Sequence, residues 1–252
     1  MTKTFSSKKS AFSLIELSIV LIVIGLLIAG ITGGASLIKS SELRSVMGEA
    51  RSYAVGVNAF YTQYNALPGD YATVIGNSYA GNGDSKIQYY NSATHGAALT
   101  GSESANAWVV LRTIGAIDGI SSAVPLIATT SPTFGSTSAA NAPSSKVKSS
   151  GWAFDYRAIA AENSEQNVVV LTSTIGTPTT TNTLVNGTNV ATAAITPSDA
   201  LSIDAKIDDN VPNTGKVRGL NAGGLNCYAT SAYTTATTTK TCGLTYQVDV
   251  NS

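Results

Sequence analysis

The chain has 252 residues, with 15 basic and 15 acidic side chains in formal balance and charged residues only 12% of the total. That balance is no footprint for nucleic-acid binding, which wants a basic stripe, and the length is sufficient for a hydrophobic core without a metal or disulfide scaffold. Ser, Thr, Ala, Asn and Gly crowd the second half, a composition in keeping with exported and surface proteins.

Residues 1–10 carry Lys3, Lys8 and Lys9 and no acid, and from Phe12 the sequence turns apolar. A basic stretch followed by an apolar one marks export or membrane insertion. Leu17 to Ile38 is a run of 22 residues without a charge. As a helix it extends roughly 33 Å, enough to cross a bilayer. Because the lysines precede the span, they stay in the cytoplasm and the C-terminal part crosses. Glu16 sits one turn into this apolar helix, where an unpaired charge costs a few kilocalories per mole, so a functional role is the first expectation. The bland alternative is an acid favoured by the positive end of the helix dipole.

The residues around Glu16 are Ser10-Ala11-Phe12-Ser13-Leu14-Ile15-Glu16-Leu17. This octapeptide resembles the cleavage and methylation motif of type IV prepilins and type II secretion pseudopilins, usually read as Gly-Phe-Thr-Leu-Ile-Glu-Leu. The resemblance implies that a prepilin peptidase cuts between Ala11 and Phe12 and methylates the new amine, with Glu16 acting in filament assembly. Ala11 stands where the family has Gly, and Ser13 where it has Thr. Independently of the family, a cut before Phe12 creates a cationic amine about one helical turn from Glu16. Amine and carboxylate of neighbouring subunits in a low-dielectric bundle would then favour one axial offset.

Beyond the apolar run the pattern becomes amphipathic. Leu43, Val46, Met47, Ala50, Tyr53, Ala54, Val57, Phe60, Tyr61 and Tyr64 recur at spacings of three and four, with Glu42, Arg44, Glu49 and Arg51 on other faces. Pro68-Gly69-Asp70 reads as a turn, so the helix is expected to run from Phe12 to about Ala66, on the order of 80 Å. Gly30-x-x-x-Gly34 has the spacing that lets helices approach closely, against the alternative that glycine is merely tolerated in a membrane helix.

Residues 76–102 read as a loop-rich insertion with a turn at Asn82-Gly83-Asp84, Ser104 to Ile117 as a second helix, and 121–149 as an exposed loop. Trp152 to Ile159, Val168 to Thr174 and Leu244 to Val250 read as strands, the first and last alternating, and Pro197 to Asp208 as a short helix opened by its proline. The expected fold class is α+β and pilin-like: a long N-terminal helix packed on a C-terminal antiparallel sheet. The expected organisation is a leader over 1–11, a membrane-spanning and filament-core helix over 12–38, its amphipathic continuation over 39–66 and an exported globular domain over 67–252.

His95, the single histidine, lies in a Thr-His-Gly-Ala stretch without a neighbouring acid or cysteine, and no nucleophile elbow, phosphate loop, zinc spacing or dinucleotide fingerprint follows a strand. An enzyme is not expected. Cys227 and Cys242 form a pair rather than a CxxC cluster, which favours a disulfide over zinc; two buried free thiols are the alternative. Asp204, Asp208 and Asp209, followed by Asn210 and a proline turn, gather oxygen ligands that suit calcium, as in the calcium loop of some pseudopilins. The alternative is a solvated helix end, and no other cofactor is expected. Asn186-Gly187-Thr188 fits the glycosylation sequon, a match short enough to arise by chance.

These readings point to a structural subunit of a type IV pilus or type II secretion pseudopilus. Its expected partners are the prepilin peptidase, other pilin or pseudopilin subunits and the inner membrane. The expected location is a single-pass inner-membrane protein with its C-terminal domain outside the cytoplasm, and a pilus or pseudopilus after assembly. Loss of the leader leaves 12 basic against 15 acidic residues. The rival is a secreted binding protein or hydrolase cut after an ordinary signal peptide near Gly33-Gly34-Ala35; a third reading is a membrane-anchored domain that never assembles.

Overall fold

The computed structural model describes residues 13–76, 78, 80–89, 103–118, 142–159, 164–173, 185–186, 189–190, 192–222 and 224–248. The chain divides into two compact units, 1–41 and 42–252. A single helix, α1 (Leu14–Tyr64), begins in the first and ends in the second. Elements that follow are α2 (Glu103–Thr113), β1 (Gly151–Ile159), β2 (Ser164–Thr172), β3 (Val185–Asn186), β4 (Asn189–Val190), α3 (Pro197–Ile207), β5 (Val217–Ala222), β6 (Tyr228–Ala229), β7 (Ala232–Tyr233) and β8 (Cys242–Gln247). The class is α+β, with a long apolar N-terminal helix and a C-terminal sheet.

In the first unit α1 is apolar and unpacked. Its large side chains stand exposed, from 87% at Leu14 to 46% at Ile24. No residue of the 18-residue window that passes for a membrane span by length and composition is buried. The helix continues through Gly30, Gly33 and Gly34 without a break.

In the second unit the same helix buries the face that its three-and-four spacing predicts: Leu43, Val46, Ala50, Tyr53, Val57 and Phe60 belong to the core, with Met47, Ala54, Tyr61 and Tyr64 packed against it. Tyr53 makes edge contacts with Trp108 of α2, at 4.9 Å between ring centres, and with Trp152 of β1, at 5.9 Å. One aromatic residue thus joins helix, helix and sheet. Tyr64 ends α1 because Asn65 turns into the left-handed region at φ 50°, its N–H donating to the Tyr61 carbonyl at 2.8 Å, before Pro68. Thr196 caps α3, its hydroxyl accepting from the Asp199 N–H at 3.2 Å, with Pro197 at the first helical position.

The main sheet has the order β1-β2-β8-β5-β4-β3. It is antiparallel except where β4 pairs parallel with β5; β6 and β7 form a separate hairpin. The alternation expected along the first strand does not correspond to one wet face. Trp152, Ala153, Phe154 and Asp155 are all buried, because α2 and the core cover one side and residues 87–89 and 142–147 contribute further buried groups. The sequence also held no expectation of β5, which lies between β8 and β4 in the middle of the sheet. Its strand pattern is broken by Arg218 and Gly219. Gly219 is required there, since a Cβ would crowd the Tyr233 ring at 2.8 Å and the Cys227 sulfur at 3.3 Å.

Candidate functional site

The N-terminal site is built on the first turn of α1. Ser13 is the cap: its carbonyl accepts from the Leu17 N–H at 3.2 Å and its hydroxyl from the Ile15 N–H at 3.3 Å. Glu16 answers from three residues on, Oε2 accepting from the Ser13 N–H at 2.9 Å. This is one half of a capping box: the third residue's carboxylate satisfies the cap's N–H, while the cap hydroxyl takes the N–H of the second residue, Ile15. The signal was present in the sequence as Ser13-x-x-Glu16 before an apolar run. It makes the helix-end reading of Glu16 a real part of its role and leaves Oε1 for a second donor. Ala11 and Phe12 lie outside the described residues, as does the whole leader.

Glycines of the apolar half carry no packing duty among the described residues. A Cβ added at Gly25, Gly30, Gly33 or Gly34 would meet nothing within 4 Å.

A second site gathers at the end of α3. Asp204, Asp208 and Asp209 bring carboxylate oxygens within 4.8 Å of one another. Asp204 is fully buried: Oδ2 accepts from the Tyr233 hydroxyl at 2.8 Å, while Oδ1 meets no donor. Burial, followed by the charges of Asp209 and Asp208, pushes its pKa up to about 6 against the Tyr233 hydrogen bond. Asp208 Oδ2 takes the Lys216 and Val217 N–H groups. Asp209 accepts from the Val211 N–H at 2.8 Å and the Thr214 hydroxyl at 2.5 Å, and the Thr214 bond first of all holds its carboxyl below the usual range. The orphaned Asp204 oxygen and the all-oxygen donor set fit calcium, which Asp204, Asp208 and Asp209 would hold. Nearby, Cys227 and Cys242 are joined in a disulfide across 15 residues, both fully buried. The sulfur bridge fixes the β6–β7 hairpin to β8.

Two groups of residues escaped the sequence reading. Glu49, placed there on a face away from the core, is half-buried and binds residues distant in sequence: it accepts from the Trp152 indole N–H at 2.8 Å, the Ser145 hydroxyl at 2.7 Å and the Lys146 N–H at 3.0 Å. The second group is Asp70, Asp84 and Glu103, which also converge within 4.8 Å. His95 and residues 187–188 of the sequon lie outside the described residues. Compared with protein-family models, curated proteins and solved structures, the chain matches none.

Proposed function

We propose that the chain is a structural filament subunit of the type IV prepilin and type II secretion pseudopilin kind. It is cut between Ala11 and Phe12, held in the inner membrane by residues 12–38 and assembled through that same helix, with residues 67–252 outside the cytoplasm. The observation that carries this reading is the contrast along one helix. Residues from Leu14 to Ile38 expose their large apolar side chains, whereas those from Leu43 to Phe60 bury theirs in the α+β domain. Apolar surface of that extent demands lipid before assembly and other helices after it.

Glu16 supports the reading further. Its bond to Ser13 orders the first turn, next to the position where cleavage would create a cationic amine. The carboxylate of one subunit can then meet the amine of a neighbour, and the pair offsets desolvation that either charge alone would suffer. The continuity of α1 through Gly33-Gly34-Ala35 favours this over release after a signal peptide. Prepilin peptidase and sister subunits are the partners of this reading, and the role is structural rather than catalytic. The test is recovery of the full chain in sheared filaments, or cross-linked to sister subunits through the apolar half of α1. A chain that stays monomeric in the membrane under conditions where filaments form contradicts it.

A further inference from the structure

Three carboxylates from segments well separated in sequence meet at one point of the second unit. Asp70 follows the turn that ends α1, Asp84 lies in the loop 81–89 and Glu103 opens α2, and a carboxylate oxygen of each lies within 4.8 Å of the other two. Asp70 is 2% exposed and Glu103 0%, while Asp84 faces solvent. Backbone donors are drawn to Asp70: Oδ1 accepts from Gly83 at 2.6 Å and Asp84 at 3.2 Å, and Oδ2 from Ser85 at 2.7 Å. Glu103 is treated differently. Its Oε2 accepts from the Gln88 N–H at 3.0 Å, but Oε1 is buried and meets no donor.

An acceptor left unpaired in the interior suffers the full desolvation penalty, and here two further carboxylates add repulsion. Among the described residues, no Lys or Arg belongs to the groups that act on the ionisation of Asp70 or Glu103. The positive end of α2 and the loop amides offset part of the negative charge, yet none of those amides reaches Glu103 Oε1.

Oxygens on opposite sides of a calcium ion, each at about 2.3–2.6 Å, stand about 5 Å apart, so three carboxylate oxygens all within 4.8 Å of one another can share one ion. An all-oxygen set without His or Cys favours a hard cation over zinc or copper. Asp84 is exposed to solvent, and a cleft of about 520 Å³ is lined in part by Asp70, Gly83 and Ser85, on the Asp70 side of the cluster. The turn is committed to this packing: Gly69 has φ 88° and its Cα faces the Glu103 carbonyl so closely that no Cβ fits, while its own carbonyl accepts from Asn106 Nδ2 at 3.1 Å.

We propose that Asp70, Asp84 and Glu103 form a calcium site that ties the turn after α1 and the loop 81–89 to the start of α2. The site is distinct from the Asp204 loop and does not depend on whether the chain assembles into filaments.

The test uses the full chain in detergent micelles, stripped with chelator and melted with and without about 10 mM calcium, roughly tenfold above the weakest extracellular sites. Every protein carries Asp209→Asn, so that the loop after α3 does not contribute. Calcium should raise the melting temperature of this parent by roughly 3–6 °C, and the rise should vanish on adding Asp84→Asn or Glu103→Gln. Asp84→Asn keeps an oxygen for the Lys86 N–H that Asp84 Oδ1 accepts at 3.1 Å, so the loop conformation is retained. Glu103→Gln removes a buried charge and should melt at or above the parent in chelator. No calcium shift in the parent overturns the proposal, and so does a shift that persists in either added variant. An equal shift with magnesium alone overturns the assignment to calcium.

Discussion

The backbone N–H of Ser13 donates to Glu16 Oε2 at 2.9 Å, so the one acid in the apolar stretch of α1 caps the helix that carries it. A cut before Phe12 leaves this bond in place, because Ser13 keeps its peptide nitrogen. Glu16 can therefore serve its own helix end and a neighbour's amine together, and substitution separates the two roles. Glu16→Gln retains an acceptor for Ser13 but loses the charge, whereas Glu16→Ala loses both, at a cost on the order of 1 kcal/mol for the cap. Both variants should insert in the membrane at least as well as the parent, since a charge has been removed from an apolar segment. Filament yield should fall sharply in both. Assembly of Glu16→Gln at the parental level would refute interchain charge pairing while leaving the capping role intact.

The disulfide lends itself to a simple stability measurement. Closing a 15-residue loop between Cys227 and Cys242 contributes about 3 kcal/mol in the chain-entropy model. Cys227→Ala should lower the melting temperature accordingly without changing membrane fractionation. Labelling of both thiols in native, non-reduced protein would contradict the bridge.

Glu49 is expected to matter more than its place among polar residues of α1 suggests. Glu49→Ala leaves the indole N–H of Trp152, a residue only 1% exposed, without its acceptor and releases residues 145–146. Losing such a partner costs about 1–3 kcal/mol. Denaturant melts of Glu49→Ala and Glu49→Gln compare the two, and Gln, which can still accept, should be the milder change.

Stability of the chelated protein should fall as pH rises. Burial, then the charges of Asp70 and Asp84, push the Glu103 pKa up to about 8 despite the Gln88 hydrogen bond, and Asp204 is raised to about 6. A carboxyl raised on folding binds its proton more tightly in the native state. No penalty exists below its unfolded pKa; the penalty grows with pH and is complete above the folded value. The decline should therefore extend from the ordinary carboxylate range to about pH 8, with Glu103→Gln flattening its upper part. Asp209, whose pKa is lowered, has the opposite sign and acts below this window. Stability that climbs across the window would contradict the burial of Glu103 as a destabilising charge.

Local periodicity made α1 legible. The spacing from Leu43 to Phe60 named the buried face before any tertiary contact was known, and Pro68 placed the end of the helix within two residues. Pro197 announced the opening of α3 for the same local reasons. Illegible features were those set by distant neighbours. Strand β5 contains Arg218 and Gly219, and only the approach of Tyr233 and Cys227 explains the glycine. Glu49 reads as solvent-facing until Trp152 arrives from the sheet. Asp70, Asp84 and Glu103 are brought together by turns whose geometry no spacing rule encodes. Asp204, Asp208 and Asp209 were legible because one helix end holds all three.

Identity of the mature N-terminus bears most directly on the filament reading. Mass spectrometry of the chain recovered from membranes of cells with an active prepilin peptidase should find Phe12 as the first residue, carrying an N-methyl group. Ala11→Gly should be processed at least as fast, and a bulky residue at position 11 should block the cut. Methylated Phe12 is the result the reading predicts; a chain beginning near Ser36, or one that keeps residues 1–11 in the presence of the peptidase, would contradict it.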